Sequence, residues 1–175
     1  MAAGDRRTAM AYGKGGATEE KTEMRISAGV LLYRRALPVD QVLLVHPGGP
    51  FWRNKDRGAW QIPKGEIEPG EDAPGAARRE AGEELGIALT GNLVPLGTVR
   101  QAGGKIVHGF ALEQDLDAEA IRSNAVTREW PARSGRQATF PEVDAARWMD
   151  LAEAHRMMLP SQLPLLDRLE ALLAR

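Results

Sequence analysis

The sequence predicts an α/β (α+β) domain in which a mixed β-sheet is sandwiched between α-helices. Three observations carry this. β-rich apolar runs lie on both sides of a central segment; that segment has a helix's caps at both ends; and the chain closes in two amphipathic helical stretches. The 175 residues suit one domain with a core of its own.

Residues 1–23 are small, charged and glycine-rich with no apolar period, so they are expected to form a flexible tail ahead of a single domain at 24–175. "RISAGVLLYRR" and "QVLLVHP" read as strands joined by a short connection. "GGPFWRNKDRG" reads as a loop, and "AWQIPKG" as a brief extended piece. A helix is expected over about Ala73–Leu85, with Asp72 as N-cap, Pro74 in the first turn and Gly86 as C-cap. "LVPLGTVRQ" and "KIVHGFALEQ" form a strand pair turning at Gly103–Gly104, and "DLDAEAIRS" a turn or short helix. "NAVTREW" is a strand, "PARSGRQATFPE" a loop and "VDAARWMD" the last strand. "LAEAHRMM" and "SQLPLLDRLEALLA" are helices, the second with Leu163, Leu166, Leu169, Leu172 and Leu173 along one stripe.

The net charge of −1 gives no general reason to expect a nucleic acid or membrane partner. The absence of cysteine excludes disulfides, thiolate metal sites and a cysteine nucleophile. No apolar run approaches a membrane span, and the N-terminus lacks a signal-peptide core, so a cytoplasmic protein is expected.

Against that neutral background, the stretch "GEIEPGEDAPGAARREAGEELGI" holds seven carboxylates and two arginines. On the expected helix, Glu80, Glu83 and Glu84 fall at i, i+3 and i+4, on one face. Like charges at that spacing cost about 0.2–0.5 kcal/mol per pair, and Gly75 and Gly82 each cost up to about 1 kcal/mol relative to Ala. Helix stability alone does not select such a sequence. A divalent cation removes the conflict, because hard carboxylate oxygens suit Mg²⁺ or Mn²⁺. The opposite face, Ala77, Ala81 and Leu85, allows close packing on a sheet. Glu71 reaches back towards Arg79, and Arg79 can also pair with Glu83. Taken by itself, a helix face with three Glu is most often a solvated surface.

The spacing around these residues is more specific. Gly65, Glu71 and "REAGEELGI" from Arg79 to Ile87 fill every fixed position of the Nudix box, with only Ala81 smaller than usual. The chain resembles the Nudix hydrolase family, and "GAWQIPKGEIEPGE" resembles members with Trp-x-x-Pro-Lys-Gly ahead of the box, among them diadenosine polyphosphate hydrolases and bacterial NTP pyrophosphohydrolases. The likeness covers about residues 25–155.

The resemblance implies the Nudix fold and a divalent-metal-dependent pyrophosphohydrolase that cleaves a diphosphate bond by in-line attack of water. It implies Glu80, Glu83, Glu84 and the Lys64 carbonyl as ligands of Mg²⁺ or Mn²⁺. Glu80 or Glu83 is a candidate proton acceptor, with Arg79 orienting Glu80 and Glu71 holding Arg79. Family members often place a further acid on a later loop or strand. Glu129 and Glu142 are the candidates, Glu129 being preferred because it ends a strand before Pro131. Arg53, Lys55, Arg57 and Lys64 before the box, with Arg133 and Arg136 in a second basic loop, are expected to bind phosphate. Trp52, Trp60 and Trp130 are candidates for stacking a base, Trp60 equally for the core; His46 and His108 fit core or edge positions.

The expected substrate is a small phosphoanhydride, a nucleoside tri- or polyphosphate or a dinucleoside polyphosphate. A diphosphoinositol phosphate, an RNA 5′ end and a non-catalytic nucleotide-sensing role are the alternatives. Oligomeric state, monomer or homodimer, is left open.

Overall fold

A computed structural model describes residues 24–175, so the expected tail at 1–23 lies outside the described residues. The strands are β1 (Ile26–Arg34), β2 (Gln41–Pro47), β3 (Lys64–Glu66), β4 (Val94–Arg100), β5 (Ile106–Glu113), β6 (Ala125–Glu129), β7 (Gln137–Pro141) and β8 (Val143–Asp150). The helices are α1 (Ala73–Leu85), α2 (Leu151–Met157) and α3 (Leu163–Leu173).

The main sheet runs β4-β5-β1-β2-β8, with β3 added beside β1. It is mixed: β1 and β5 are parallel, with Gly29 opposite Gly109, and the other pairs are antiparallel. Two partners share one edge of β1. β2 takes its C-terminal end, pairing Tyr33 with Val42, and β3 takes its start, pairing Gly29 with Lys64. The sheet therefore splays open between β2 and β3, at the level where β3 enters α1.

Period-two alternation sorts the side chains into two cores. Ala28, Val30, Leu32, Leu43 and Val45 face α1, meeting Ala76, Ala77, Ala81 and Leu85. Leu31, Val42 and Leu44 face the other way, towards Leu165, Leu166 and Leu169 of α3. This is the predicted sandwich. The leucine stripe differs in one respect: Leu165 is fully buried, whereas Leu163, Leu172 and Leu173 pack only partly. Gly109 leaves the space, since a Cβ there would lie 2.6 Å from Leu165 Cδ2.

β6 and β7 pair only with each other, as a two-stranded arm outside the main sheet. Thr127 stands opposite Thr139 with their hydroxyls 2.9 Å apart. The expectation of a loop over "PARSGRQATFPE" is thus corrected: Gln137–Pro141 is a strand. With one neighbour and a mostly exposed surface, this strand carries only Ala138 and Phe140 as half-buried positions, too weak an alternation to mark it. Among the described residues, no helix is long and apolar enough to cross a membrane.

Candidate active site

α1 begins where Asp72 Oδ1 accepts from the Gly75 N–H at 2.7 Å, and ends where Gly86, at φ 69°, donates to the Gly82 carbonyl. Positive φ at that cap favours glycine. Burial of the alanine face fixes the rotation of the helix, and the acidic face consequently meets β3. The approach is close: a Cβ on Gly65 would lie 2.1 Å from Glu80 Oε2. No side chain larger than hydrogen fits there with Glu80 in place.

Arg79 is the hub of the site. Its Nε and Nη2 donate to the two Glu71 oxygens at 2.7 and 2.9 Å, a bidentate fork. Nη1 donates to Glu80 Oε1 at 2.8 Å and, more weakly, to Glu83 Oε2 at 3.4 Å. Nη2 also reaches the Glu66 carbonyl at 3.2 Å. The Arg79 hydrogen bonds, then the bond from the Glu68 N–H, hold the Glu71 carboxyl down at about 2. The same partners raise Arg79 above its ordinary value.

Glu84 lies deeper. It is 6% exposed, and its Oε2 accepts from the Lys64 backbone N–H at 3.1 Å. Burial pushes its carboxyl up to about 8; nearby Glu142 and Glu80 push the same way, and the Lys64 ammonium opposes them. Burial, with Lys105 next, lowers the Lys64 ammonium. Burial and then the Glu80 charge raise Glu142. Burial is thus the leading cause of all three shifts.

Glu80, Glu84 and Glu142 line a cavity of about 1100 Å³. Arg25, Lys64, Lys105 and Arg128 line it as well. Acids and cations lining one cavity suit an anionic ligand held through a cation. Among the described residues, no three acidic or histidine side chains are already closed around a metal-sized point. Glu80 and Glu83 are turned to Arg79 instead. The donor set nevertheless fits a hard divalent ion: carboxylate oxygens of neighbouring turns, one of them pushed towards protonation by its burial.

Of the residues singled out from sequence, Glu71, Arg79, Glu80, Glu84 and Lys64 come together here. Glu83 points outward, its side chain 47% exposed, and reaches the site through Arg79. Glu129 ends β6 as expected but not at the acids; its Oε1 accepts from the Gly135 N–H at 3.4 Å inside the arm. Glu142, the lesser candidate, is the one beside Glu80. Arg53, Lys55, Arg57, Arg133 and Arg136 are exposed and do not line the cavity. Lys55 Nζ instead sits 3.3 Å from the centroid of the Phe51 ring. The cations at the mouth that sequence reasoning missed are Arg25, Lys105 and Arg128. The first two are brought together by the parallel β1–β5 pairing, where the Ile106 N–H donates to the Arg25 carbonyl. No local pattern announces that meeting. Trp60 is core, 6% exposed. His46 is buried, Nε2 lying 2.5 Å from the Lys55 carbonyl and Nδ1 2.9 Å from Asp144 Oδ1.

Comparison with known proteins places the chain in a family. The family model for the NUDIX domain matches residues 23–169. An RNA pyrophosphohydrolase of Rhodospirillum rubrum is 30% identical over 162 residues, covering 85% of this chain and 92% of the relative. Among solved structures, a binary complex of the C. elegans Ap4A hydrolase aligns at a TM-score of 0.59 with 24% identity, over 85% of this chain and 98% of that one. The NUDIX domain of Shewanella oneidensis NrtR, solved with ADP ribose, aligns at 0.59 with 19% identity, over 86% and 88%. At these identities the structures speak to the fold.

Proposed function

The chain belongs to the NUDIX family, and from that premise we propose that it is a divalent-metal-dependent pyrophosphohydrolase acting on the polyphosphate of a nucleotide. The observation that carries the reading is the meeting of Glu80, Glu84 and Glu142 in one cavity with Arg25, Lys105 and Arg128.

Glu80 and Glu84, with Glu83 swinging from Arg79 and the Lys64 carbonyl, would hold Mg²⁺ or Mn²⁺. Such an ion, when bound, activates water and neutralises charge developing on phosphate. The chain's own residues do the rest. Arg79, clamped by Glu71, fixes the Glu80 carboxylate. Arg25, Lys105 and Arg128 draw the phosphate chain into the mouth. Glu142 accepts the proton of the attacking water; burial and then the Glu80 charge raise its proton affinity above that of an ordinary carboxylate, which favours that role.

The relatives' names, RNA pyrophosphohydrolase and Ap4A hydrolase, share one chemistry, a phosphoanhydride chain on a nucleoside. We favour the free nucleoside polyphosphate. The basic residues at the mouth are too few for an extended nucleic-acid track, whereas the R. rubrum relative favours the RNA 5′ end as the second reading.

The test is a phosphate-release screen in Mg²⁺ and in Mn²⁺. Nucleoside triphosphates, diadenosine polyphosphates, 5′-triphosphate RNA, ADP-ribose and a diphosphoinositol phosphate run side by side, with Glu84→Gln as blank. Turnover that vanishes in the blank supports the reading. Turnover retained in both Glu83→Gln and Glu84→Gln removes it.

A further inference from the structure

A second cleft, of about 320 Å³, opens beside the acidic cavity and shares Pro47, Trp52, Arg128 and Glu142 with it. Its walls are aromatic. Phe51 and Trp52 come from the loop after β2, Trp130 and Phe140 from the β6–β7 arm. Phe51 is 53% exposed and Trp130 37%, and they are the only aromatic side chains among the exposed large hydrophobic residues described. Leaving both rings in water costs hydrophobic free energy that packing elsewhere would recover.

The cleft is built rather than incidental. The Gly48 N–H donates to the Glu142 carbonyl at 3.0 Å, sewing loop to arm. Gly49, at φ 96°, lies so close to Phe140 that a Cβ would sit 2.6 Å from the ring. Phe51 meets Trp52 edge to face at 5.0 Å and Trp130 at 6.5 Å, and Lys55 caps Phe51. Phe51 thus links the other two rings edge to face, at interplanar angles of 84° and 75°. The rim is polar, with Arg128 at the junction of the two cavities and Glu129 further out.

A flat ligand with apolar faces and N–H groups on its edge fits such walls, and its position beside a phosphate mouth says what it is attached to. We infer that this cleft takes the nucleobase of the nucleoside polyphosphate whose phosphates enter the acidic cavity, with Trp130 as the stacking face and Glu129 accepting from the base edge. The inference rests on the nucleotide reading above. It gives the arm its use, and it gives Glu129 a role in recognition in place of one in proton transfer.

The full chain is titrated calorimetrically in Mg²⁺ with two uncleavable probes, a methylene-bridged ATP analogue and a methylene-bridged tripolyphosphate lacking the nucleoside. The wild type should bind the nucleotide about tenfold or more tighter than the base-free chain, as one stacked base contributes. Trp130→Ala should bring the two affinities together, Trp130→Phe should keep most of the difference, and the melting temperature should stay unchanged in both. Equal binding of the two probes by the wild type, no measurable nucleotide binding, or a Trp130→Ala loss that is the same for both probes overturns the inference. So does a wild-type dimer that Trp130→Ala and Phe51→Ala each dissolve, because the aromatic face would then be an interface between copies. Hydrolysis of the unbridged compounds, measured in parallel, separates the two readings. Base preference without turnover retains the cleft and removes the hydrolase; turnover without base preference does the reverse.

Discussion

Glu84→Gln should make the metal-free protein more stable while abolishing its activity. The Glu84 carboxyl is 6% exposed and is pushed up to about 8, chiefly by burial. Against an ordinary value of 4.5, this corresponds at about 1.4 kcal/mol per pH unit to an upper limit of about 5 kcal/mol. The sign follows from proton counting. Between pH 4.5 and 8 the folded state holds a proton that the unfolded chain has released, so stability falls as pH rises across that window. Glutamine removes the charge, and its amide oxygen can still accept from the Lys64 N–H. The advantage of the variant should therefore be near zero at pH 4.5, about 2 kcal/mol at pH 6, and greatest above pH 8. Water entering the open cavity returns part of it, so we expect at least about 2 kcal/mol at pH 8, or about 5 °C in melting temperature. Urea unfolding in the presence of a chelator, run from pH 5 to 8.5 on both proteins, measures it. A variant no more stable than the wild type at pH 8, or a difference that does not change with pH, refutes the reasoning.

Further outcomes follow from the same geometry. Saturating Mg²⁺ should stabilise the wild type, by about 2.7 kcal/mol at a hundredfold excess over Kd, and should barely move Glu84→Gln in a thermal melt. Gly65→Ala should cut turnover by orders of magnitude, because its Cβ displaces the Glu80 carboxylate; wild-type kcat in a folded variant would contradict the contact. Glu71→Gln releases the Arg79 fork and should lower activity about 10–100-fold, the usual loss for a residue that orients a ligand, with the fall in kcat exceeding any rise in KM. Burial and Glu80 hold the Glu142 carboxyl above the ordinary carboxylate range. The acid limb of the pH–rate profile should therefore lie above that range, and Glu142→Gln should remove it along with most of the rate.

How much of this was legible in the sequence depended on whether the signal was local. α1 is bounded by the two capping residues the sequence offers, and the Glu71–Arg79–Glu80 relay follows from eight residues of spacing and one helical turn. The alanine face told which side packs. Non-local meetings left no such trace. Arg25 and Lys105 are 80 positions apart in sequence and converge only because β1 and β5 run parallel. The sequence favours Glu129 over Glu142 because it ends a strand before Pro131, but the arm's pairing reverses that order: Glu142 stands beside Glu80, and Glu129 turns to the Gly135 N–H inside the arm. β7 escaped notice because a strand with a single neighbour needs no strong apolar alternation. Lys55 belongs to the basic stretch ahead of the box that the sequence assigns to phosphate, whereas the ring of Phe51, four residues before it, captures the ammonium.

The arm itself divides labour within the molecule. The carboxylates of α1 are carried on a helix whose other face, Ala76, Ala77, Ala81 and Leu85, is built into a core of the main sheet. β6 and β7 pair only with each other, and they meet the loop after β2 through Phe140 at Gly49 and Trp130 at Phe51. Lengthening, shortening or resequencing that hairpin leaves the buried layers untouched. On the base-binding role inferred for its cleft, such a layout would let selectivity drift by insertion and deletion while the acidic cavity stays put, and would make the hairpin the natural cassette to exchange when redesigning what this hydrolase recognises.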